Sequence, residues 1–146
     1  MTIASPKQPV VAIDTVSHSF KERRALRNVS LHVLPHTLHG FVGPNGAGKT
    51  TALKLICTMT RLQSGELFVF GKNILKKRLE IRRRVGFMPD HPSLYRQMTV
   101  YEYLDFYAAA YGISFDDRTR VIAEVLGLIE LGHRKNHVIY SLSRGM

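Results

Sequence analysis

The sequence predicts an α/β fold: an antiparallel β region leads into a strand, loop and helix unit, and then into a helical second half. Three observations carry this reading. Val29, Leu31 and Val33 alternate with Asn28, Ser30 and His32, the period of a half-buried strand. The short apolar run Leu38 to Val42 is followed by a glycine-rich stretch, and then by Leu53, Ile56 and Cys57 at i, i+3 and i+4 on a helix starting at Lys49. Further along, Thr99 with Glu102 forms a capping-box pair ahead of an apolar run of helical spacing.

In chain order, residues 1–9 contain Pro6 and Pro9 and are expected to be a disordered lead-in. Val10 to Val16 and Asn28 to Leu34 are expected as two strands, with the charged stretch Lys21 to Arg24 as a hairpin tip. A turn at Pro35 leads to the strand Leu38 to Val42, the loop and the helix from Lys49. Ser64-Gly65 reads as a turn, Glu66 to Phe70 as a strand, Lys76 to Arg84 as a helix, and Val85 to Met88 as a short strand stopped by Pro89. The Thr99 helix should run to Tyr111 and stop at Gly112. Ser114 should cap another, with Asp116 and Asp117 at the positive end of its dipole, an apolar stripe of Val121, Ile122, Val125 and Leu126, and an end at Gly127.

At 146 residues with 45% hydrophobic and 22% charged content, the chain has the size and composition of one globular domain, which excludes collagen-like, disulfide-scaffold and highly charged disordered classes. A formal charge of +10 favours anionic partners. The charge is densest from Lys72 to Arg84, seven basic residues in thirteen, read as a solvated helix face with Ile74, Leu75, Leu79 and Ile81 turned inward; a nucleic-acid or lipid patch is the alternative. The single Cys57 permits no internal disulfide, is expected in the core, and points to a reducing, cytoplasmic location. The longest nearly apolar run, Phe106 to Ile113, is far shorter than the roughly 20 residues that span a bilayer.

The chemistry is carried by GPNGAGKTT, Gly43 to Thr51, which satisfies the Gly-x4-Gly-Lys-Ser/Thr pattern of a phosphate-binding loop with Gly43, Gly48, Lys49 and Thr50 at the required positions. Glycines let successive backbone N–H groups turn inward around phosphates, and the following helix presents unsatisfied amides and its positive end. Lys49 can reach the β- and γ-phosphates, and the Thr50 hydroxyl can ligate a bridging magnesium ion. Nucleoside triphosphate binding follows; the pattern alone does not choose among kinases, GTPases and transport ATPases.

The stretch VGPNGAGKTT together with the terminal SLSRGM, Ser141 to Met146, resembles the ATP-binding subunit of an ABC transporter. LSRGM is similar to the family's signature motif, usually LSGGQ, in the LSxGM form common among export-type subunits. Between them, VGFMPD followed by LYRQMTVYEYLDFYAAAYGI resembles the family's Q-loop and the start of its helical subdomain. The resemblance covers about residues 10 to 146. It implies a P-loop NTPase core with an N-terminal antiparallel β subdomain over 10–90 and the start of a helical subdomain over 91–146, ending at the signature.

By the same resemblance, the ATP-binding residues are Phe20, as the aromatic that stacks on adenine, and Gly43, Pro44, Asn45, Gly46, Ala47, Gly48, Lys49, Thr50 and Thr51. The alternative for Phe20 is an apolar residue at a strand end. Ser141, Leu142, Ser143, Arg144, Gly145 and Met146 form the signature, of which Ser143 and Gly145 would touch the γ-phosphate of ATP held by a second such subunit, identical or different. Asp90 stands where the family usually has the Gln that ligates magnesium and contacts the membrane subunit. A carboxylate can still ligate magnesium, so Thr50 and Asp90 are the metal candidates; the alternative is that Asp90 caps the turn before His91-Pro92. At His36-Thr37 the family usually has Gly-Glu, a departure expected to be harmless.

The resemblance thus implies ATP and Mg2+ as cofactors, a transmembrane subunit and a second ATP-binding subunit as partners, no nucleic acid, and a place at the cytoplasmic face of a membrane. The family's Walker B carboxylates and switch histidine are not found in the sequence, so the chain is expected to be the N-terminal portion of a subunit; Lys49 and Asp90 support chemistry whose catalytic residue is unknown. Two alternatives stay open: a truncated module that binds ATP without hydrolysing it, and a nucleic-acid-associated P-loop protein. His32, His36 and His39 are expected at the surface rather than as a metal triad, as are His133 and His137. Tyr101, Tyr103, Phe106, Tyr107 and Tyr111 are expected to pack within the helical subdomain rather than form a nucleobase platform.

Overall fold

The computed structural model describes residues 8–89 and 94–143, so Asp90, Arg144, Gly145 and Met146 lie outside the described residues, as do residues 1–7 of the expected lead-in. The chain divides into two compact units, Met1–Met88 and Pro89–Met146.

In the first unit, β1 (Val11–Phe20) and β2 (Arg23–Val33) are longer than the alternation suggested, and the turn between them shrinks to Lys21 and Glu22. α1 (Lys49–Ile56), β3 (Ser64–Val69), β4 (Lys72–Asn73) and the short α2 (Arg78–Arg82) follow. Among the described residues the four strands form one antiparallel sheet in the order β2-β1-β3-β4. The β1–β2 register shifts between Ile13 and Val16, where Thr15 takes φ 50°, and again between Val16 and His18, opposite Asn28 at φ 43°. That irregularity turns Val16, rather than Thr15, into the core beside Ile13. The Thr15 N–H donates to Ser30 Oγ at 3.0 Å, and the Asn28 N–H to Ser17 Oγ at 2.8 Å.

Gly65 is not a turn residue. It lies in β3 at φ +82°, where an added Cβ would stand 2.7 Å from the Asp14 and Thr15 carbonyl oxygens, so this close approach admits only glycine. The hairpin β3–β4, which the sequence reading missed, turns on Phe70 (φ 52°) and Gly71 (φ 70°), both left-handed as a two-residue hairpin turn with matching twist requires.

The expected strands Leu38 to Val42 and Val85 to Met88 are not formed. Leu38 and Val42 are fully exposed, while Phe41 and Val85 rest against the core. A strand of this kind is stable only when paired along its edges and covered on both faces, and no strand among the described residues pairs with either segment. α1 also turns a different face inward than its i, i+3, i+4 pattern suggested. Ala52 and Leu55 are buried, Leu53 is exposed, and Ile56 and Cys57 are only half-buried. The partial burial pushes the Cys57 thiol up from its ordinary range.

The basic run Lys72 to Arg84 resolves into internal fastenings. Arg82 donates from Nε to Thr58 Oγ1 (2.8 Å) and from Nη2 to Thr58 O (2.7 Å), and Arg78 Nη2 adds a bond to the same carbonyl at 3.0 Å. Thr58 lies just past α1 at φ 57° with its side chain buried, so two guanidiniums hold α2 onto the carbonyl-rich end of α1, where cations are favoured. Arg84 stacks on the Phe70 ring at 3.9 Å. Ile74 and Ile81 are buried as expected, but Leu75, which lies ahead of the short helix, and Leu79, on the face of α2 away from Ile81, are exposed.

Lys72 and Lys77 both bond Glu80, whose carboxyl is held down to about 2, first by Lys72 and then by Lys77. Because the folded-state value lies below the ordinary 4.5, the stabilisation is present above that pH and is lost as pH falls from about 4.5 towards 2. In acid titrations followed by circular dichroism, Glu80→Gln is expected to flatten the stability loss across that window; an unchanged profile would show that this exposed trio contributes nothing.

In the second unit, α3 (Val100–Ala110) starts as expected. Thr99 accepts from the Glu102 N–H, and Glu102 reaches back to the Thr99 N–H at 2.7 Å, which lowers the Glu102 carboxyl below its ordinary range. Tyr111 caps the helix, followed by Gly112 at φ +79°. α4 (Phe115–Leu128) is capped by Ser114, but Gly127 lies inside it and the helix runs on to Leu128 before Glu130 takes φ 58°. Val100, Ile122, Leu126 and Ile139 form a second core, with Tyr101, Tyr103 and Leu142 packed on it. Val125 of the expected stripe is partly exposed; Phe106 and Tyr107 pack on Tyr95 and Tyr103 but remain exposed on their outer side, and Tyr111 is exposed.

Candidate functional site

Gly43 to Gly48 form the loop ahead of α1, with Ala47 N–H donating to Pro44 O (3.2 Å) and Ala52 N–H to Gly48 O (2.9 Å). Gly46 takes φ +85° and Gly48, the N-cap, φ +90°, conformations that L side chains rarely adopt. α1 carries no side-chain cap and no acidic residue in its first turn. The N–H groups of Lys49, Thr50 and Thr51 therefore have no partner among the described residues, and they sit at the positive end of the helix. Lys49 Nζ bonds Gly43 O (2.6 Å) and Pro44 O (2.8 Å), which places its ammonium within the loop.

Strand β2 forms one wall. A Cβ on Gly48 would meet Ala25 O at 2.4 Å and Leu26 Cδ2 at 2.7 Å, so the third glycine of the motif is required by the strand it rests on. A Cβ on Gly46 would meet Arg23 Nη2 at 2.5 Å. Thr50 is exposed and Thr51 half-buried at the first turn of α1, and neither hydroxyl has a hydrogen-bond partner among the described residues. The residues fit a polyphosphate with its divalent cation: unpaired amides, an ammonium and a free hydroxyl lie on one short stretch, with no carboxylate to compete.

Phe20 ends β1, half exposed, with its ring edge-on to His18 at 4.8 Å between centroids and Arg23 as its cross-strand partner. The hairpin thus brings Phe20 to the same side as the loop through Arg23. Gln63 braces this strand end, its side chain accepting from the Ser19 N–H (2.7 Å) and donating to Ser19 O (2.9 Å). Beside it, His18, Phe20, Thr60, Arg61, Leu62 and Gln63 line an open cleft of about 540 Å3. His18 is buried, with its Nδ1 unpaired. The sequence reading passed over His18 and Arg23, since nothing in their spacing marks them.

In the second unit the Ser141 hydroxyl donates to Val138 O (2.7 Å), Leu142 packs on the core, and Ser143 is exposed. The segment ahead of them is laced to the connector before α3. Val100 N–H donates to His137 O, Tyr101 N–H to Lys135 O, Ile139 N–H to Met98 O and Tyr140 N–H to Arg96 O, at 2.9–3.0 Å. Tyr95, Phe106 and Tyr107 form an outward aromatic cluster with edge contacts of 5.5 and 5.3 Å. Beside it, Gln97, Met98, Glu102, Asp105, Phe106 and Ala109 line an open groove of about 580 Å3.

Among the described residues, no group of three or more His, Cys, Asp or Glu is placed to hold a metal ion; His32 meets Asp14 at 3.2 Å. His36 takes φ 59°, a left-handed conformation that glycine adopts without strain and histidine adopts at a cost. No helix among the described residues is long and apolar enough to cross a membrane.

Comparison with known proteins agrees with this geometry. The family model described as "ABC transporter" matches residues 26–146. "ABC transporter A family member 4" of Dictyostelium discoideum is 32% identical over 144 residues, which are 95% of this chain and 9% of that protein. "Uncharacterized ABC transporter ATP-binding protein YcbN" of Bacillus subtilis is 28% identical over 137 residues, 94% of this chain and 44% of that one. A solved structure titled "Structure of ATP binding subunit of ABC transporter" superposes with a TM-score of 0.76 at 26% identity, covering 94% of this chain and 57% of the other. The chain therefore spans less than half the length of these curated relatives. With its glycine-rich loop opening α1 and a family match over residues 26–146, the chain belongs to the ABC transporter family as an ATP-binding domain.

Proposed function

We propose that this chain binds magnesium-ATP in the Gly43–Thr51 loop, as the nucleotide-binding part of a transporter whose membrane-embedded subunit is driven by ATP binding and hydrolysis. The unpaired amides of Lys49, Thr50 and Thr51, with the Lys49 ammonium inside the same loop, carry this reading. In it the loop amides hold the phosphates, Lys49 neutralises the β- and γ-phosphates, and Phe20 stacks on adenine. The Thr50 hydroxyl would ligate the magnesium ion, which would supply charge neutralisation on the phosphates; Asp90 is the second candidate ligand by its position in the sequence alone. Thr51 adds a contact from the first turn of α1.

Ser141 to Met146 serve the nucleotide of a second ATP-binding subunit. The lacing of residues 135–140 to 96–101 supports this role, because it fixes the segment that presents them. The aromatic cluster of Tyr95, Phe106 and Tyr107 and the acid-rimmed groove beside it support docking of a membrane partner, at the cytoplasmic face. An export direction rests on the LSRGM form of residues 142–146.

The test is displacement of a fluorescent ATP analogue from the chain in magnesium buffer. ATP and ADP are expected to compete. Phe20→Ala is expected to weaken both by about 1–3 kcal/mol while sparing tripolyphosphate, which has no base to stack. Equal losses for ATP and tripolyphosphate would make Phe20 structural only, and no displacement by ATP would overturn the nucleotide reading itself.

A further inference from the structure

The guanidinium of Arg23 lies against the middle of the phosphate-binding loop. A Cβ built on Gly46 would stand 2.5 Å from Arg23 Nη2 and 3.8 Å from its Cζ, so the absence of a side chain at Gly46 is what admits the contact. The left-handed φ of +85° at Gly46 excludes most other residues there as well. Arg23 opens β2 directly across from Phe20 in the β1–β2 register, so the hairpin tip carries an aromatic ring and a cation side by side.

The other arginines of this unit that are engaged bind elsewhere: Arg78 and Arg82 are spent on Thr58, and Arg84 on Phe70. Arg23 is exposed and has neither a carboxylate nor a carbonyl partner among the described residues. Its neighbour is the loop. Lys49, the cation already in the motif, bonds Gly43 O and Pro44 O, at the opposite end of the loop from Gly48 and α1.

We infer that Arg23 is a second cationic ligand of the nucleotide's phosphates, supplied by the β1–β2 hairpin and meeting the phosphate nearest the base. The chemistry suits it: a guanidinium is weakly hydrated and presents a planar fork of donors that matches two phosphate oxygens, whereas Lys49 acts as a point charge. The location suits it too, since Arg23 stands beside the ring proposed to hold the base, and the base-proximal phosphate must pass between that ring and the loop. Nucleotide binding then fastens the hairpin to the loop through both residues. The inference rests on the reading that the Gly43–Thr51 loop binds the triphosphate.

The experiment compares the full chain with Arg23→Gln, Arg23→Lys and Lys49→Ala, measuring displacement of a fluorescent ATP analogue by ATP, ADP and adenosine at low and high salt. Arg23→Gln is expected to weaken ATP and ADP by about three- to tenfold, the low end for a charge-assisted contact because the residue is exposed, and to leave adenosine unchanged. Arg23→Lys is expected to recover part of the loss, and the salt dependence of ATP binding is expected to fall in Arg23→Gln. ATP affinity unchanged in Arg23→Gln, with a loss in Lys49→Ala, would overturn the role of Arg23 and leave the loop assignment standing. Equal losses for adenosine and ATP would also overturn it, by showing that Arg23 merely supports the hairpin. No effect in either variant would overturn the loop assignment together with the inference.

Discussion

Lys49→Ala is expected to lower ATP affinity at least tenfold. The ammonium is held within the glycine-rich loop by Gly43 O and Pro44 O, at 2.6 and 2.8 Å, so it is already among the groups that would meet the phosphates. A charge-assisted contact of this kind contributes about 1.5–3 kcal/mol, and each 1.4 kcal/mol is a tenfold change in affinity. The loss is expected to be large for ATP and ADP and absent for adenosine, which has no phosphate. Because the Lys49 side chain bonds two loop carbonyls, the variant's fold is checked by its thermal midpoint. An unchanged affinity in a folded variant would remove the phosphate-loop assignment.

Gly48→Ala is expected to destabilise the chain's first unit strongly. At φ +90° an alanine costs about 1–2 kcal/mol in backbone strain. Its Cβ would also stand 2.4 Å from Ala25 O, a backbone atom that can retreat only by moving β2. Overpacking of that kind costs roughly 1–3 kcal/mol, so a combined loss of about 2–5 kcal/mol is expected in urea unfolding. Gly127→Ala provides the opposite sign. Gly127 lies inside α4 with nothing within 4 Å of a Cβ, and alanine there is expected to stabilise by about 0.5–1 kcal/mol. A Gly48→Ala chain as stable as the parent would mean that the loop does not rest on β2.

What could be read from the residues alone was what short-range chemistry dictates. The capping box of Thr99 and Glu102 and the Ser114 cap are local hydrogen bonds between near neighbours, and both helices start where those residues stand. The glycine-rich loop and the helix at Lys49 are likewise local, because glycine at left-handed positions and the unpaired amides of a helix start need no distant partner. The alternation of β2 located a strand, although not its full length.

Tertiary structure decided the rest, wherever a residue's state depends on what packs against it. Leu38 to Val42 has the composition of a strand but lacks a paired neighbour, and so remains irregular. Gly65 looked like a turn and is instead the point where β3 passes the irregular stretch of β1, which only a three-dimensional close approach reveals. Seven cations in thirteen residues looked like a solvated face, yet most are engaged: Lys72 and Lys77 by Glu80 within the run, and Arg78, Arg82 and Arg84 by Thr58 and Phe70, which the fold brings in from outside it. Arg23 shows the same division. The sequence by itself determined the phosphate loop and its lysine through a contiguous motif; the contact between Arg23 and Gly46 joins residues 23 positions apart, and only the pairing of β1 with β2 and the seating of α1 on β2 bring them together.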